Sequence, residues 1–237
     1  MRKIFLTTKD GLKIAANLYP AEQPKGWIVF SHMMPAVKES WNDLAKLFQG
    51  AGYESVAVDL RGHGESVSGL MARSRLDSQG ETLPFLNYRN FSDAEHQKSI
   101  LDLEAAAYFL IQERKAAAGK ISFVGASIGA NLSLQYISEH PEFKTAVLLS
   151  PGLDYRGVKT EPLAKNLKAG QRVFFVSAKD DVRSGGDNAE ENQKLYDLTP
   201  TGVGKQIKIY ETGGHGMDIL KSHPDLAELI KDFIGGY

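Results

Sequence analysis

The sequence predicts an α/β fold: a mostly parallel, twisted sheet of about eight strands with helices on both faces. Three observations carry this expectation. An Asp-Gly turn joins two strand-like runs near the amino terminus. Short continuous apolar runs then alternate with stretches of helical spacing. No linker, repeat or charge block divides the 237 residues, so residues 1–237 are expected to form one domain.

The elements follow in order. Ile4 to Thr8 and Leu12 to Tyr19 flank Lys9-Asp10-Gly11 as a hairpin. Trp27 to Ser31 is an unbroken apolar run, the pattern of a strand buried on both faces. Trp41, Leu44, Ala45 and Phe48 recur at helical spacing and stop at Gly50 and Gly52. Ser55 to Asp59 is a second buried strand, followed by a polar, Gly-rich stretch from Arg61 to about Asn90. Ser92-Asp93 is placed to cap one long helix reaching Ala118 and ending at Gly119, with His96 on its exposed side. Strands are expected at 121–124, 146–149, 173–176 and 206–210, and helices at 128–139, 162–168, 189–196 and 226–233.

Composition removes several classes of function. With 28 Lys+Arg against 29 Asp+Glu the net charge is −1, which leaves no basic footprint for nucleic acid. Apolar residues at 42% and charged residues at 24% are those of a globular chain rather than a disordered one. No window approaches the apolar length needed to span a membrane. Residues 1–10 lack an apolar run of signal-peptide length, and Cys is absent, so a cytoplasmic location without disulfides or thiolate metal sites is expected. Oligomeric state has no signature here.

In open α/β sheets function gathers at the carboxyl ends of the strands, so the residues just past each strand are the candidates. After Val124 comes Gly125-Ala126-Ser127-Ile128-Gly129, a G-x-S-x-G strand-to-helix elbow. Such a turn strains the Ser backbone and pushes its hydroxyl above the sheet, and side chains at either glycine would collide across it. A hydroxyl nucleophile needs a base. Of six His residues, His215 in Gly213-Gly214-His215-Gly216 is the one in a loop past the last strand. A base needs an orienting carboxylate. Asp181 is preferred over Asp180, because the turn after the 173–176 strand needs several residues to reach back over the sheet edge. The chain order Ser127, Asp181, His215 is the order expected on this architecture. The oxyanion formed in acyl transfer needs preset N–H donors. These are assigned to Ile128 and to Met34, with Met33 as the alternative to Met34.

Taken together, His32 past the third strand, Asp59-Leu-Arg-Gly-His-Gly-Glu-Ser66, the elbow at Ser127, the Asp180-Asp181 turn and Gly214-His215-Gly216 resemble the α/β-hydrolase superfamily. The resemblance is to its small, single-domain carboxylesterase-like serine hydrolases and covers nearly the whole chain. It implies an architectural role for residues 59–66 and no chemistry for His63. Two departures stand out. The family's His-Gly after the third strand reads His32-Met33 here, and residues 151–169 are too short for the multi-helix cap found in many members. Residues 67–90, with Met71, Leu76, Leu83, Pro84, Phe85 and Tyr88, are a candidate flap, the alternative being a surface loop.

The expected function is hydrolysis of carboxylic esters of small to medium acyl chains, through a Ser-His-Asp triad and an acyl-enzyme. Met33, Leu153, Tyr155 and Met217 are the expected pocket lining. The partner is a small-molecule ester. No metal or organic cofactor is expected, since the sequence has no H-E-x-x-H, phosphate loop or dinucleotide fingerprint. The alternatives are a thioesterase, lysophospholipase or amidase using the same triad, or a catalytically silent hydrolase-like protein that binds a ligand.

Overall fold

A computed structural model of the chain describes residues 1–67, 86–183 and 187–236. Strands β1 (Arg2–Thr7) and β2 (Lys13–Tyr19) form the antiparallel hairpin, turning at Gly11 with φ +82°. β2 also pairs antiparallel with β4 (Tyr53–Val58). All the other pairings of this sheet are parallel. They join β4, β3 (Gly26–Ser31), β5 (Ile121–Ala126), β6 (Thr145–Leu149), β9 (Arg172–Ala178) and β10 (Gly204–Tyr210). The eight strands run in the order β1-β2-β4-β3-β5-β6-β9-β10. A separate two-stranded hairpin, β7 (Asp154–Tyr155) and β8 (Val158–Lys159), follows β6.

Alternation along the strands divides the core into two layers, because successive side chains point to opposite faces. On one face Ile28, Phe30, Val124 and Phe174 pack with α1 (Asn42–Gly50), α7 (Met217–Ser222) and α8 (Asp225–Gly235). On the other, Val29, Phe123 and Phe175 pack with α3 (Ile100–Gln112), α4 (Ile128–Glu139), α5 (Thr160–Asn166) and α6 (Asn188–Leu198). Phe30 stacks on Trp41 at 5.0 Å between ring centroids, which fixes the start of α1 against β3. The parallel strands thus bring their carboxyl ends to one edge of the sheet.

The long helix expected from Ser92 is instead two helices. Ser92 does cap α2 (Asp93–Gln97), through a capping box with Glu95. The helix then breaks in a tight turn, with Ser99 N–H donating to His96 O at 3.0 Å. The restart places Asp102 in the first turn of α3, where its carboxylate accepts from Arg61 N–H (2.8 Å), Nε (3.0 Å) and Nη2 (2.8 Å). A buried guanidinium needs such a partner. α3 ends at Gln112 rather than near Gly119, as Lys115 turns left-handed (φ +58°) and Ala116 N–H reaches back to Leu110 O at 2.9 Å. His96, expected on an exposed side, is buried edge-on against Phe91. That burial lowers its pKa.

The turn after β4 is built around the buried Asp59 carboxylate. It accepts from Lys38 N–H (2.7 Å), Lys38 Nζ (2.7 Å) and Glu65 N–H (2.9 Å). Of the candidate flap, residues 68–85, including Met71, Leu76, Leu83, Pro84 and Phe85, lie outside the described residues. Its two ends meet, with Leu86 N–H donating to Val67 O at 2.8 Å, and Tyr88 stacks on His63 at 3.9 Å. Residues 151–169 hold the β7–β8 hairpin and α5.

Candidate active site

Five consecutive parallel strands, β3, β5, β6, β9 and β10, end along one edge, and residues singled out from the sequence follow each of them. Ser127 directly follows β5, with φ +54° and ψ −121°, a conformation that non-glycine residues rarely adopt. The strain is held by its neighbours. Ser127 N–H donates to Leu149 O at 2.8 Å, and its carbonyl accepts from Ala130 and Asn131 N–H as α4 begins. Both flanking glycines are sterically required. A Cβ on Gly125 would strike the Gly129 carbonyl and lie 2.6 Å from Ala130 N. One on Gly129 would lie 2.7 Å from Ser31 C and 2.8 Å from His32 O. Ser127 is 9% exposed, and its hydroxyl makes no hydrogen bond to any described residue.

The close approach of Gly129 to Ser31 and His32 brings the amino terminus of α4 against the loop after β3. Neither Ile128 N–H nor Met34 N–H donates to a backbone acceptor among the described loop and turn hydrogen bonds. His32 anchors the loop. Its Nδ1–H donates to Met33 O at 2.9 Å, and its Nε2 accepts from Leu60 N–H at 3.0 Å. Burial lowers its pKa to about 4, and that of His63 to about 3, so both rings are neutral at pH 7.

Past β9, Asp181 and Asp180 face different ways. Asp181 is buried, and its Oδ2 accepts from His215 Nδ1 at 2.6 Å. Because a carboxylate only accepts, Nδ1 is the donor in this bond. Asp181 Oδ1 accepts from Arg183 N–H at 3.3 Å. Asp180 instead accepts from Gly213 N–H (3.1 Å) and Gly214 N–H (2.9 Å), and these bonds hold its carboxyl below the ordinary range. His215 is 4% exposed. A Cβ on the following Gly216 would meet Met33 Sδ at 2.9 Å and Ala126 Cβ at 3.4 Å. The loop bearing His215 therefore rests on the strand end that bears Ser127. No Ser127–His215 hydrogen bond is formed.

The four residues expected to line a pocket fall on two sides. Met33 and Met217 belong to the α1/α8 layer, while Leu153 and Tyr155 belong to the opposite layer. Tyr155 meets the His215 ring in a T-shaped arrangement at 6.0 Å. It is delivered by the β7–β8 hairpin, which buried amides hold in place. Asn131 bonds Gly152 through both amide atoms and also donates to Val158 O, each at 3.0 Å. Asn188 Nδ2 donates to Pro151 O at 2.8 Å. These amides, and Ser150, which follows β6, belong to no motif in the sequence. The strand-end rule that selected Ser127 and His215 applies equally to Ser150. Among the described residues, no cluster of His, Asp or Glu is arranged to hold a metal.

Comparison with known proteins agrees with this architecture. A family model described as "Hydrolase_4: Serine aminopeptidase, S33" matches residues 22–194. An esterase of Pyrococcus furiosus superposes with a TM-score of 0.74 at 17% identity, covering 100% of this chain and 92% of that one. A dienelactone hydrolase of Anabaena variabilis superposes with a TM-score of 0.73 at 15% identity, covering 100% and 97%. A curated relative, the non-heme chloroperoxidase CPO-A1 of Kitasatospora aureofaciens, is 38% identical over 60 residues. That match spans 25% of this chain and only 21% of the relative's length. The mostly parallel eight-stranded sheet and the family match together make this chain a member of the α/β-hydrolase superfamily, in the family described as serine aminopeptidase S33.

Proposed function

We propose that this protein is a serine esterase that cleaves small to medium carboxylic esters through Ser127, His215 and Asp181. The observation that carries the reading is the buried 2.6 Å bond from His215 Nδ1 to Asp181, on a loop that packs against the strand end bearing the strained Ser127. In this reading Ser127 Oγ attacks the ester carbonyl as its proton passes to His215 Nε2. Asp181 keeps the ring in the required tautomer and stabilises the imidazolium. The Ile128 and Met34 N–H groups donate to the carbonyl oxygen as negative charge develops on it, aided by the positive end of α4. His215 then protonates the leaving alcohol. Water, deprotonated by the same nitrogen, releases the acid and regenerates the serine.

The esterase named among the structural neighbours supports this choice of substrate class, as does the short hairpin standing where a multi-helix cap would sit. The family description favours a second reading, in which the same triad cleaves an aminoacyl amide. A fluorophosphonate probe tests the chemistry common to both. Stoichiometric labelling that is lost in Ser127→Ala is expected, and unlabelled folded protein would refute it. Initial rates on p-nitrophenyl esters of graded length against aminoacyl p-nitroanilides then separate the readings. Faster cleavage of the anilides would replace the esterase assignment.

A further inference from the structure

The loop that carries His215 has little rigidity of its own. Gly213, Gly214 and Gly216 surround the ring, with φ of +147°, +71° and +57°. Such backbone loses more freedom on ordering than any other residue type does. An imidazole mounted on it could swing through many orientations, yet the His215–Asp181 bond is short and buried. Other side chains must hold the loop.

Three of them do so. Asp180 takes the Gly213 and Gly214 N–H groups, one on each carboxylate oxygen. His223 stacks on Tyr210 at 3.9 Å and donates from Nε2 to Thr212 O at 2.6 Å. Ser150 Oγ accepts from Gly216 N–H at 2.8 Å, immediately past the imidazole.

Ser150 is the informative member. It is fully buried, directly follows β6, and sits at φ +49°, where a glycine would be unstrained. Its own N–H donates to Val176 O at 2.7 Å, so its position is fixed by the last paired residues of β6 and β9. A side chain kept in a conformation that disfavours side chains calls for a use of that side chain. The observed use is the bond to Gly216.

We propose that Ser150 is a positioning residue for the reaction, its hydroxyl fixing the loop so that His215 stays aligned between Asp181 and Ser127. Asp180 supports the same loop from the exposed side. Neither residue touches a reacting atom. The inference rests on the proposed triad, and the experiment keeps the two separable.

Among the described residues, the groups facing His215 are the Asp181 carboxylate, the Tyr155 ring and, through the loop backbone, Asp180. Ser150 carries no charge, so its removal changes the electrostatics only through geometry. Ser150→Gly removes the hydroxyl while relieving the backbone strain. It is compared with Ser150→Ala and the wild type in p-nitrophenyl butyrate hydrolysis and fluorophosphonate labelling across pH. Both variants are expected to lose about tenfold in kcat with KM changed less than twofold, as misplacement of a catalytic group costs rate rather than binding. The acid limb of kcat/KM should move to lower pH, because a loosened Asp181 stabilises the imidazolium less. Ser150→Gly should melt no lower than Ser150→Ala while being as slow.

A folded Ser150→Gly with wild-type kcat and an unmoved acid limb overturns the proposal. If neither Ser150 variant folds, Asp180→Ala, at an exposed position, carries the test. A severalfold loss of kcat at constant KM is expected there, and a wild-type rate overturns the clamp. Wild-type protein that does not label at Ser127 refutes the triad itself, and the clamp with it.

Discussion

Gly129→Ala probes the contact on which the geometry of the whole site depends. The new Cβ would lie 2.7 Å from Ser31 C and 2.8 Å from His32 O, with the Ser31 carbonyl oxygen closer still. Contacts under 3.0 Å are not sustained by real Cβ atoms, and every atom met here is backbone at the end of a central strand. Relief therefore requires α4 to move off β3 by a substantial fraction of an ångström. Overpacking of this kind costs about 1–3 kcal/mol, and the upper end applies because no flexible side chain can yield. At roughly 2–4 °C per kcal/mol for a chain of this size, the melting temperature should fall by about 6–12 °C. The natural control is Gly50→Ala, at the carboxyl end of α1, where a Cβ meets nothing within 4 Å. That change should be neutral or stabilising by up to about 1 kcal/mol. Circular-dichroism melts of the two variants, with urea midpoints, are the assay. The displacement also separates Ile128 N–H from the Met33-Met34 loop, so fluorophosphonate labelling of the folded Gly129→Ala should slow by about 100-fold. A Gly129→Ala protein melting within about 2 °C of wild type would refute the steric argument, and unimpaired labelling would refute its link to the site.

Three further outcomes are expected. Asp181→Asn should lower ester turnover by about 10⁴-fold, as loss of the orienting carboxylate does in such triads. Asp180→Asn, which keeps one acceptor oxygen for the loop, should lower it less than tenfold, and the reverse ranking in steady-state assays would reassign the acid. Asp180 has a lowered carboxyl pKa, so its contribution to stability is present above the ordinary carboxylate pKa and is lost as pH falls through the folded value. Melts of wild type and Asp180→Asn should accordingly differ at neutral pH and converge in acid; a gap that widens toward acid would contradict this. Lys38→Met leaves the buried Asp59 carboxylate without its ammonium partner and should cost about 3–5 kcal/mol in urea titrations, a near-neutral result being the contrary outcome.

Much of this architecture is legible in local pattern. Burial on both faces of a parallel strand requires unbroken apolar runs such as Trp27 to Ser31, and a strand that turns at once into a helix requires the glycines around Ser127. Both are one-dimensional signatures of local sterics. Where local pattern misled, the difference lies in contacts that helical spacing does not record. The 93–118 segment reads as one helix by propensity, but it forms two, and the second carries the Asp102 that meets Arg61 from the β4 turn. His96 looked solvated on helical spacing, and the split helix buries it beside Phe91.

The residue types that can carry acyl-transfer chemistry, and the strand ends on which they sit, were determined by the sequence alone, because chain order and turn sterics are local properties. Only the tertiary structure decided that Asp181 turns inward to His215 while Asp180 turns outward to the loop backbone. One step along an irregular turn reverses a side chain's direction, and no local periodicity records that. The same holds for Ser150, whose role depends on a hydrogen bond to a residue 66 positions away. Such a bond exists only once the parallel sheet has brought the ends of β6 and β10 to the same edge.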